Sequence, residues 1–273
     1  MNDGLVFELR NVSYTYGGGV VALRGVDLTV HAGEKLVILG ANGSGKSTLL
    51  KILDGLYFAS AGTARAFGAS LDERLLADDA YAFAFRRRVG LVFQDSDVQL
   101  FSASVWDEVA FGPLQLGLSQ AEVKARVEEM LALLDIRRLA ERPPYRLSAG
   151  EKKKVCLASV LAIRPEVLLM DEPTAGLDPR SRSMLVEFIR RLNAEGHTVL
   201  TATHDLDIVE DIADRVVVFD EEKRLVAAGG PSEVLADEAL LLRANLVHAH
   251  PHRHGSVEHA HLHRHFQAHD HQH

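Results

Sequence analysis

The sequence predicts an α/β fold: a mostly parallel sheet with helices on both faces. Three observations predict it. Short apolar, β-branched runs recur along the chain, among them KLVIL (35–39), VGLVF (89–93), VLLM (167–170), TVLTAT (198–203) and VVVF (216–219). Stretches with apolar residues at helical spacing alternate with these runs. The 273 residues are 47% hydrophobic and 25% charged, which is globular composition for one or two domains.

Composition also excludes several classes. A lone cysteine, Cys156 in the apolar stretch VCLASVLAI, rules out a disulfide scaffold and reads as a buried reduced thiol. No apolar run approaches the roughly 18 residues of a membrane span, and the start MNDGLVFELR lacks the basic-then-apolar order of a signal peptide. The chain is expected to be soluble by itself, which leaves docking on a membrane protein open. Its net charge of −8 argues against a nucleic-acid partner. Histidine is the outlier: 11 of the 14 lie in residues 248–273.

Each element has a local reason. Residues 5–10 and 26–39 alternate or run apolar and read as strands, the last part (KLVIL) as a buried one. It ends in GANGSGKST, and a helix carrying Leu49, Leu50, Ile52 and Leu53 follows, with Gly55 as its C-cap. Residues 57–88 give no clear element. Val89–Phe93 is a strand running into Gln94. Ser119 and Glu122 form a capping box opening a helix with Val123, Val127, Met130, Leu131 and Leu134 on one stripe. Pro143-Pro144 break the chain, and a further helix follows Ser148. Pro165 introduces the strand 167–170. Asp178-Pro179 starts a helix with Leu185, Phe188, Ile189 and Leu192 inward, closed by Gly196. A strand (198–203), a short helix (205–213) and a late strand (216–219) complete the pattern. The stretch 94–158 has no strand signal and reads as a helical insert. Three units result: an α/β core of residues 1–93 and 159–247, the insert 94–158, and a flexible His-rich tail 248–273.

Three motifs carry chemistry. Gly40-Ala41-Asn42-Gly43-Ser44-Gly45-Lys46-Ser47 fits G-x-x-x-x-G-K-[ST] between a strand and a helix. Its glycines let backbone N–H groups gather on phosphate oxygens at a helix N-terminus. Lys46 reaches the β- and γ-phosphates, and Ser47 offers its hydroxyl to Mg²⁺. The loop indicates a nucleoside triphosphate without naming the reaction. Asp171 and Glu172 end an apolar strand. Alone they would be a solvated strand end; beside a phosphate loop, Asp171 fits as a Mg²⁺ partner and Glu172 as acceptor of a proton from the attacking water. Leu147-Ser148-Ala149-Gly150-Glu151 precedes a helix. It reads by default as an N-cap, and equally as a site for a γ-phosphate.

Together, GANGSGKST, Gln94, LSAGE, LLMDEP, AGLD (175–178) and His204 stand in the order and spacing of an ABC-type ATPase cassette, a resemblance covering roughly residues 5–235. The segment VFQDSDVQLFSASVWDEVAFGPLQLGLS (92–119) and LSAGEKKKV are similar to the ATPase subunits of energy-coupling-factor transporters of the cobalt/nickel kind. The resemblance implies a P-loop NTPase core with N-terminal antiparallel strands and a helical signature subdomain. It implies ATP and Mg²⁺ as cofactors, held by Gly40, Asn42, Gly43, Ser44, Gly45, Lys46, Ser47 and Thr48. Tyr16, with Tyr14 as a rival, would stack on adenine. Gln94 would touch Mg²⁺ and the water, and His204 would contact the γ-phosphate and hold base and water in place. Ser148 and Gly150 would close on the nucleotide of a second subunit, and Asp178 would cross that interface. Implied partners are a second cassette packed head to tail, a transmembrane coupling subunit and a substrate-binding membrane subunit, at the cytoplasmic face of the membrane. Phe101, Val105, Trp106, Val109 and Phe111 fit either docking on that coupling subunit or helical core. One departure stands out: Ala149 occupies a position where most such cassettes have glycine.

The tail contains a near-repeat, HAHPHRH (248–254) and HAHLHRH (259–265), offset by 11. Imidazoles suit Ni²⁺, Co²⁺, Zn²⁺ and Cu²⁺, so His248, His250, His252, His254, His259, His261, His263 and His265 are candidate transition-metal ligands. An interspersed, internally repeated tail is unlike a purification tag and suggests nickel or cobalt as cargo. Competing readings are uptake of a vitamin such as biotin, a soluble ABC ATPase acting on DNA or ribosomes, and a metallochaperone role. One cassette, no long heptads and an acidic balance disfavour the second, and the LSAGE motif reduces the third to an added role.

Overall fold

The apolar runs pair into two sheets and a terminal hairpin. The computed structural model describes residues 4–254 and 257–264. First come β1 (Leu5–Thr15), β2 (Val21–His31), β3 (Lys35–Leu39), α1 (Lys46–Leu53), β4 (Ala61–Ala66), β5 (Ala69–Ser70), α2 (Glu73–Leu76), α3 (Asp79–Arg86) and β6 (Val89–Val92). Four helices follow without a strand: α4 (Ser96–Gln99), α5 (Val105–Gln115), α6 (Gln120–Leu133) and α7 (Ala149–Leu161). The chain then alternates through β7 (Val167–Asp171), α8 (Pro179–Ala194), β8 (Thr198–Thr203), α9 (Val209–Ile212) and β9 (Arg215–Phe219). It ends in β10 (Leu225–Gly229), α10 (Pro231–Ala236), α11 (Glu238–Arg243), β11 (Val247–His254) and β12 (Val257–Arg264).

Six strands form the main sheet in the order β10-β9-β3-β8-β7-β6, parallel except for β10. Alternate residues of its central strands feed two different cores. Val37, Leu39, Leu168, Met170, Val216 and Val218 pack under the helices from α5 onward. Leu36, Ile38, Val167, Leu169, Val217 and Phe219 pack against α1 and the second sheet. A strand buried on both faces must be apolar throughout, which is why these runs lack polar alternation. The second sheet, β2-β1-β4-β5, is antiparallel and covers α1.

Differences from the sequence reading have local causes. The first two strands extend to Thr15 and begin at Val21, because their pairing continues through Tyr14 opposite Leu23 and Thr15 opposite Val21. Residues 57–88 do contain strands: β4 (AGTARA) pairs with β1, but its alanines and glycine carry little strand propensity. The same holds for β10, LVAAG. The 205–213 helix is a 3-10 turn, Leu206–Ile208, followed by α9. The expected insert boundary at 158 falls inside α7, a continuous helix capped by Ser148 that ends at Leu161. Within the tail, the backbone of Val247–His254 pairs antiparallel with that of Val257–Arg264 as β11 and β12, where composition gave only a biased segment; His265 lies outside the described residues. Cys156 is buried and free, and no helix among the described residues is long and apolar enough to cross a membrane.

Candidate active site

Parallel strands deliver their following loops to one edge of the sheet. Across the order β3, β8, β7, β6, that edge receives the phosphate loop, His204, Asp171 with Glu172, and Gln94. Four segments distant in sequence meet because each follows a neighbouring strand.

The phosphate loop is fixed by glycine geometry. Gly45 has φ +109°, and a Cβ there would sit 2.4 Å from the Ala22 carbonyl oxygen. A Cβ at Gly40 would meet Ser44 Oγ at 2.4 Å. Helix α1 then starts with Gly45 as N-cap, no side-chain cap and no acid in its first turn. The other helices of eight or more residues among those described (α3, α5, α6, α7 and α8) are each capped by an Asp or Ser side chain. The uncapped N–H groups and the helix dipole of α1 suit an anion.

Lys46 is buried and folds back on its own loop. Its Nζ donates to the carbonyls of Gly40 (2.7 Å) and Ala41 (3.2 Å) and lies 3.3 Å from Glu172 Oε1. Glu172 is also buried. Its Oε2 accepts from Thr203 Oγ1 (3.1 Å), and His204 Nδ1 lies 2.9 Å from its Oε1. Burial alone would raise this carboxyl, but the hydrogen bond from His204 and the charge of Lys46 hold it below the ordinary glutamate value. Glu172 is therefore ionised at neutral pH. Its φ of +43° is left-handed for a non-glycine residue, a strain of order 1–3 kcal/mol that concentrates at functional sites.

Asp171 behaves differently one residue earlier. Burial pushes its carboxyl up, and Glu172 adds to the shift, against a hydrogen bond from Ser47 and the charge of Lys46. Its Oδ1 is buried without a hydrogen-bond partner. An orphaned carboxylate oxygen beside a hydroxyl is costly unless a cation meets it, and oxygen donors are what Mg²⁺ takes. Ser47 and Asp171 thus fit a Mg²⁺ ion.

Tyr16, Asn42, Gly43, Gly45, Lys46, Ser47, Thr48, Gln94 and Glu172 line one cavity of about 490 Å³. Tyr16 is held there by a 2.8 Å hydrogen bond between its hydroxyl and Thr48 Oγ1. Its rival Tyr14 instead stacks on Tyr57 (5.2 Å between centroids, 8° between planes). Gly40 and Ser44, also in the loop, are buried and do not line the cavity. Lys223 was not predicted: it lines the cavity and donates to the Gly43 carbonyl (2.6 Å). In sequence it sits among acids in DEEKR, which gives no signal.

Ser148, Gly150 and Asp178 lie elsewhere. They line a second cavity of about 680 Å³ with Arg138, Lys154 and Arg180. Ser148 and Asp178 are exposed N-caps of α7 and α8. Ser148 forms a capping box with Glu151, and Asp178 accepts from the Arg180 and Ser181 N–H groups and from Ser181 Oγ. The two cavities share no lining residue. Gly150 has room for a Cβ, whose nearest neighbour would be Ser181 Oγ at 3.5 Å. Nothing inside the subunit demands glycine there.

Helix α7 also grips the segment after Gln94. Lys153 Nζ, largely buried, donates to the Phe93 and Gln94 carbonyls (3.0 and 2.9 Å), and Lys152 pairs with Asp97 (2.5 Å). The five apolar residues of the insert divide. Val105 and Val109 are fully buried core and Trp106 is half-buried, whereas Phe101 and Phe111 are exposed and meet edge to face. Val98 and Leu114, also exposed, extend the list of apolar side chains here. Docking therefore cannot involve Val105 or Val109, whose helical spacing turns them inward.

Comparison with known proteins agrees with this geometry. The family model described as ABC transporter matches residues 23–175. The chain is 54% identical to a nickel import ATP-binding protein, NikO, of Rhodobacter capsulatus, over 88% of this chain and 95% of that one. Its fold is similar to that of cbiO1 from Clostridium perfringens, described as part of the ABC transporter complex cbiONQ (TM-score 0.75, 37% identity, 89% of this chain and 95% of that one). It is also similar to the dimeric ATP-binding cassette MJ0796 in a post-hydrolysis state bound to ADP and Pi (TM-score 0.76, 27% identity, 82% and 98%). A phosphate loop, a buried ionised glutamate and a separate serine-led helix tip thus occur in a chain that belongs to the ABC transporter family, as one of its ATPases.

Proposed function

We propose that this ATPase powers an energy-coupling-factor importer, with nickel or cobalt ions as cargo. One observation carries the reading of its engine: the phosphate loop and the Ser148 helix tip open into different cavities of the same subunit. Each lacks what the other has. Two copies packed head to tail join one subunit's loop to the other's tip around ATP. The second cavity is lined by Arg138, Lys154 and Arg180 together with Asp135, Glu151 and Asp178, and the room at Gly150 is taken by the partner's nucleotide. Asp178 crosses the same interface. The likeness to a dimeric cassette holding ADP and Pi supports this arrangement.

Within each composite site, Tyr16 stacks on adenine, and the backbone of 40–48 holds the phosphates. Lys46 exchanges its contacts with Glu172 and the loop carbonyls for phosphate oxygens. That exchange frees Glu172, still oriented by Thr203 and His204, to take a proton from water positioned by Gln94. His204 contacts the γ-phosphate. Ser47, Asp171 and Gln94 would hold Mg²⁺, which when bound would supply positive charge against the phosphate oxygens. ATP forms part of the interface, so binding favours the closed dimer and hydrolysis releases it. The exposed Phe101 and Phe111 dock a transmembrane coupling subunit at the cytoplasmic face, with a substrate-binding membrane subunit completing the complex. The cargo follows from the likeness to a nickel import protein and from the histidine tail.

Glu172→Gln tests the catalytic assignment. ATP binding should persist while single-turnover hydrolysis falls by at least about 10²-fold, as for loss of a general base. Hydrolysis at the wild-type rate would remove Glu172 from that role.

A further inference from the structure

The tail's repeat has an arithmetic consequence in the hairpin. Histidine occupies every second position of both repeats, at even numbers in the first (248–254) and odd numbers in the second (259–265). The odd offset of 11 causes this switch. Strands β11 and β12 pair antiparallel so that each even position opposes an odd one: His248 opposite His263, His250 opposite His261 and His252 opposite His259. Had the offset been even, every histidine would face a non-histidine, and the two sets would occupy opposite faces. The register instead puts seven histidines of the described strands on one face, six of them as three rungs and His254 opposite Val257. The other face carries Ala249 opposite Leu262, Pro251 opposite Ala260 and an opposite-charge pair, Arg253 and Glu258. The hairpin is rooted in the cassette, since Val247 at its base belongs to the same core as Leu240, Leu241 and Leu246.

We propose that this hairpin is a transition-metal site whose unit is the rung. Each opposed pair, His248/His263, His250/His261 and His252/His259, supplies two imidazoles to one divalent late first-row cation such as Ni²⁺. Directly opposed positions have Cβ atoms about 4.5–5.5 Å apart, within reach of two rings sharing one ion. Neighbouring rungs on a face are separated by two residues, about 6.8 Å, which suits separate ions. Imidazole nitrogen is a favoured donor for these metals. A two-stranded hairpin is marginal by itself, and an ion bridging the strands ties them together, so binding and hairpin order are coupled. The site is independent of the cassette's cargo. A chain energising uptake of something else would still bind these ions.

Equilibrium dialysis of the full-length protein against NiCl₂ at pH 7.5 tests the rung. His250→Ala should lower the Ni²⁺ stoichiometry by one. His250→Ala/His261→Ala, both in one rung, should lower it by the same one. His250→Ala/His259→Ala, in two rungs, should lower it by two. Ions held by histidines beyond the hairpin add one constant background to every variant. None of these positions belongs to the ATP machinery, so an unchanged Mg²⁺-ATPase rate verifies each fold. Equal losses in the two double variants, or no loss in any variant, would overturn the proposal.

Discussion

Two adjacent carboxylates, Asp171 and Glu172, face the same phosphate loop and are shifted in opposite directions from their ordinary values. Glu172 is held ionised by Lys46 and His204, while Asp171, with an unpartnered oxygen, is raised. A third acid is governed by burial without a function to match. Asp54 caps the C-terminus of α1, where a negative charge opposes the helix dipole. Burial pushes it up from 3.8 to about 8, with Arg86 pulling it back. Between those values the folded chain holds a proton that the unfolded chain has lost, so stability falls as pH rises through the window. Asp54→Asn removes the titration. Relative to wild type it should change nothing below pH 4 and stabilise above pH 8 by about 1–3 kcal/mol, less than full linkage gives because the site relaxes. Thermal unfolding at the two extremes checks it, and an equal shift at both would refute it. Lys46, Ser47 and Asp171 were legible in the sequence because a fixed spacing surrounds them. Lys223 was not, because only the fold brings the turn after β9 beside Gly43.

Among elements, α7 joins the two kinds of site. Its tip carries Ser148, and five residues on, Lys153 holds the carbonyls of Phe93 and Gln94. The proposed roles of Ser148 on a neighbour's ATP and of Gln94 on the subunit's own would thereby be linked through one buried ammonium. Lys153→Met keeps the stem and removes the donors, leaving two carbonyls without this partner. The expected result is an ATPase kcat lowered about 5–20-fold, the equivalent of about 1–2 kcal/mol, with KM for ATP within about twofold and rescue by Lys153→Arg. A purely structural role would lower Tm and leave kcat per folded molecule intact. Elements announced by caps, such as α6 behind Ser119 and α8 behind Asp178, were readable in advance. Strands β4 and β10 were not, because small residues carry no period and their pairing partners supply the order. The hairpin register was likewise invisible until the strands were set opposite each other.

At the scale of the molecule, the fold keeps two sets of residues apart. The parallel sheet gathers Lys46, Asp171, Glu172, His204 and Gln94 at one edge, while α7 and α8 aim their capped tips into another cavity. Sequence spacing announced both sets, but only the structure puts them in cavities with no residue in common. The central claim is that each set completes the other in a neighbouring copy. The most direct measurement uses two chains carrying Glu172→Gln to retain ATP, one with Asn42→Cys and the other with Ser148→Cys, mixed with a short bifunctional thiol reagent. Cys156 is buried and does not compete. The account predicts a cross-linked pair containing one chain of each kind, formed with ATP and Mg²⁺ and absent without nucleotide. Cross-links that ignore ATP, or none between Asn42→Cys and Ser148→Cys chains while ATP is bound, would contradict it.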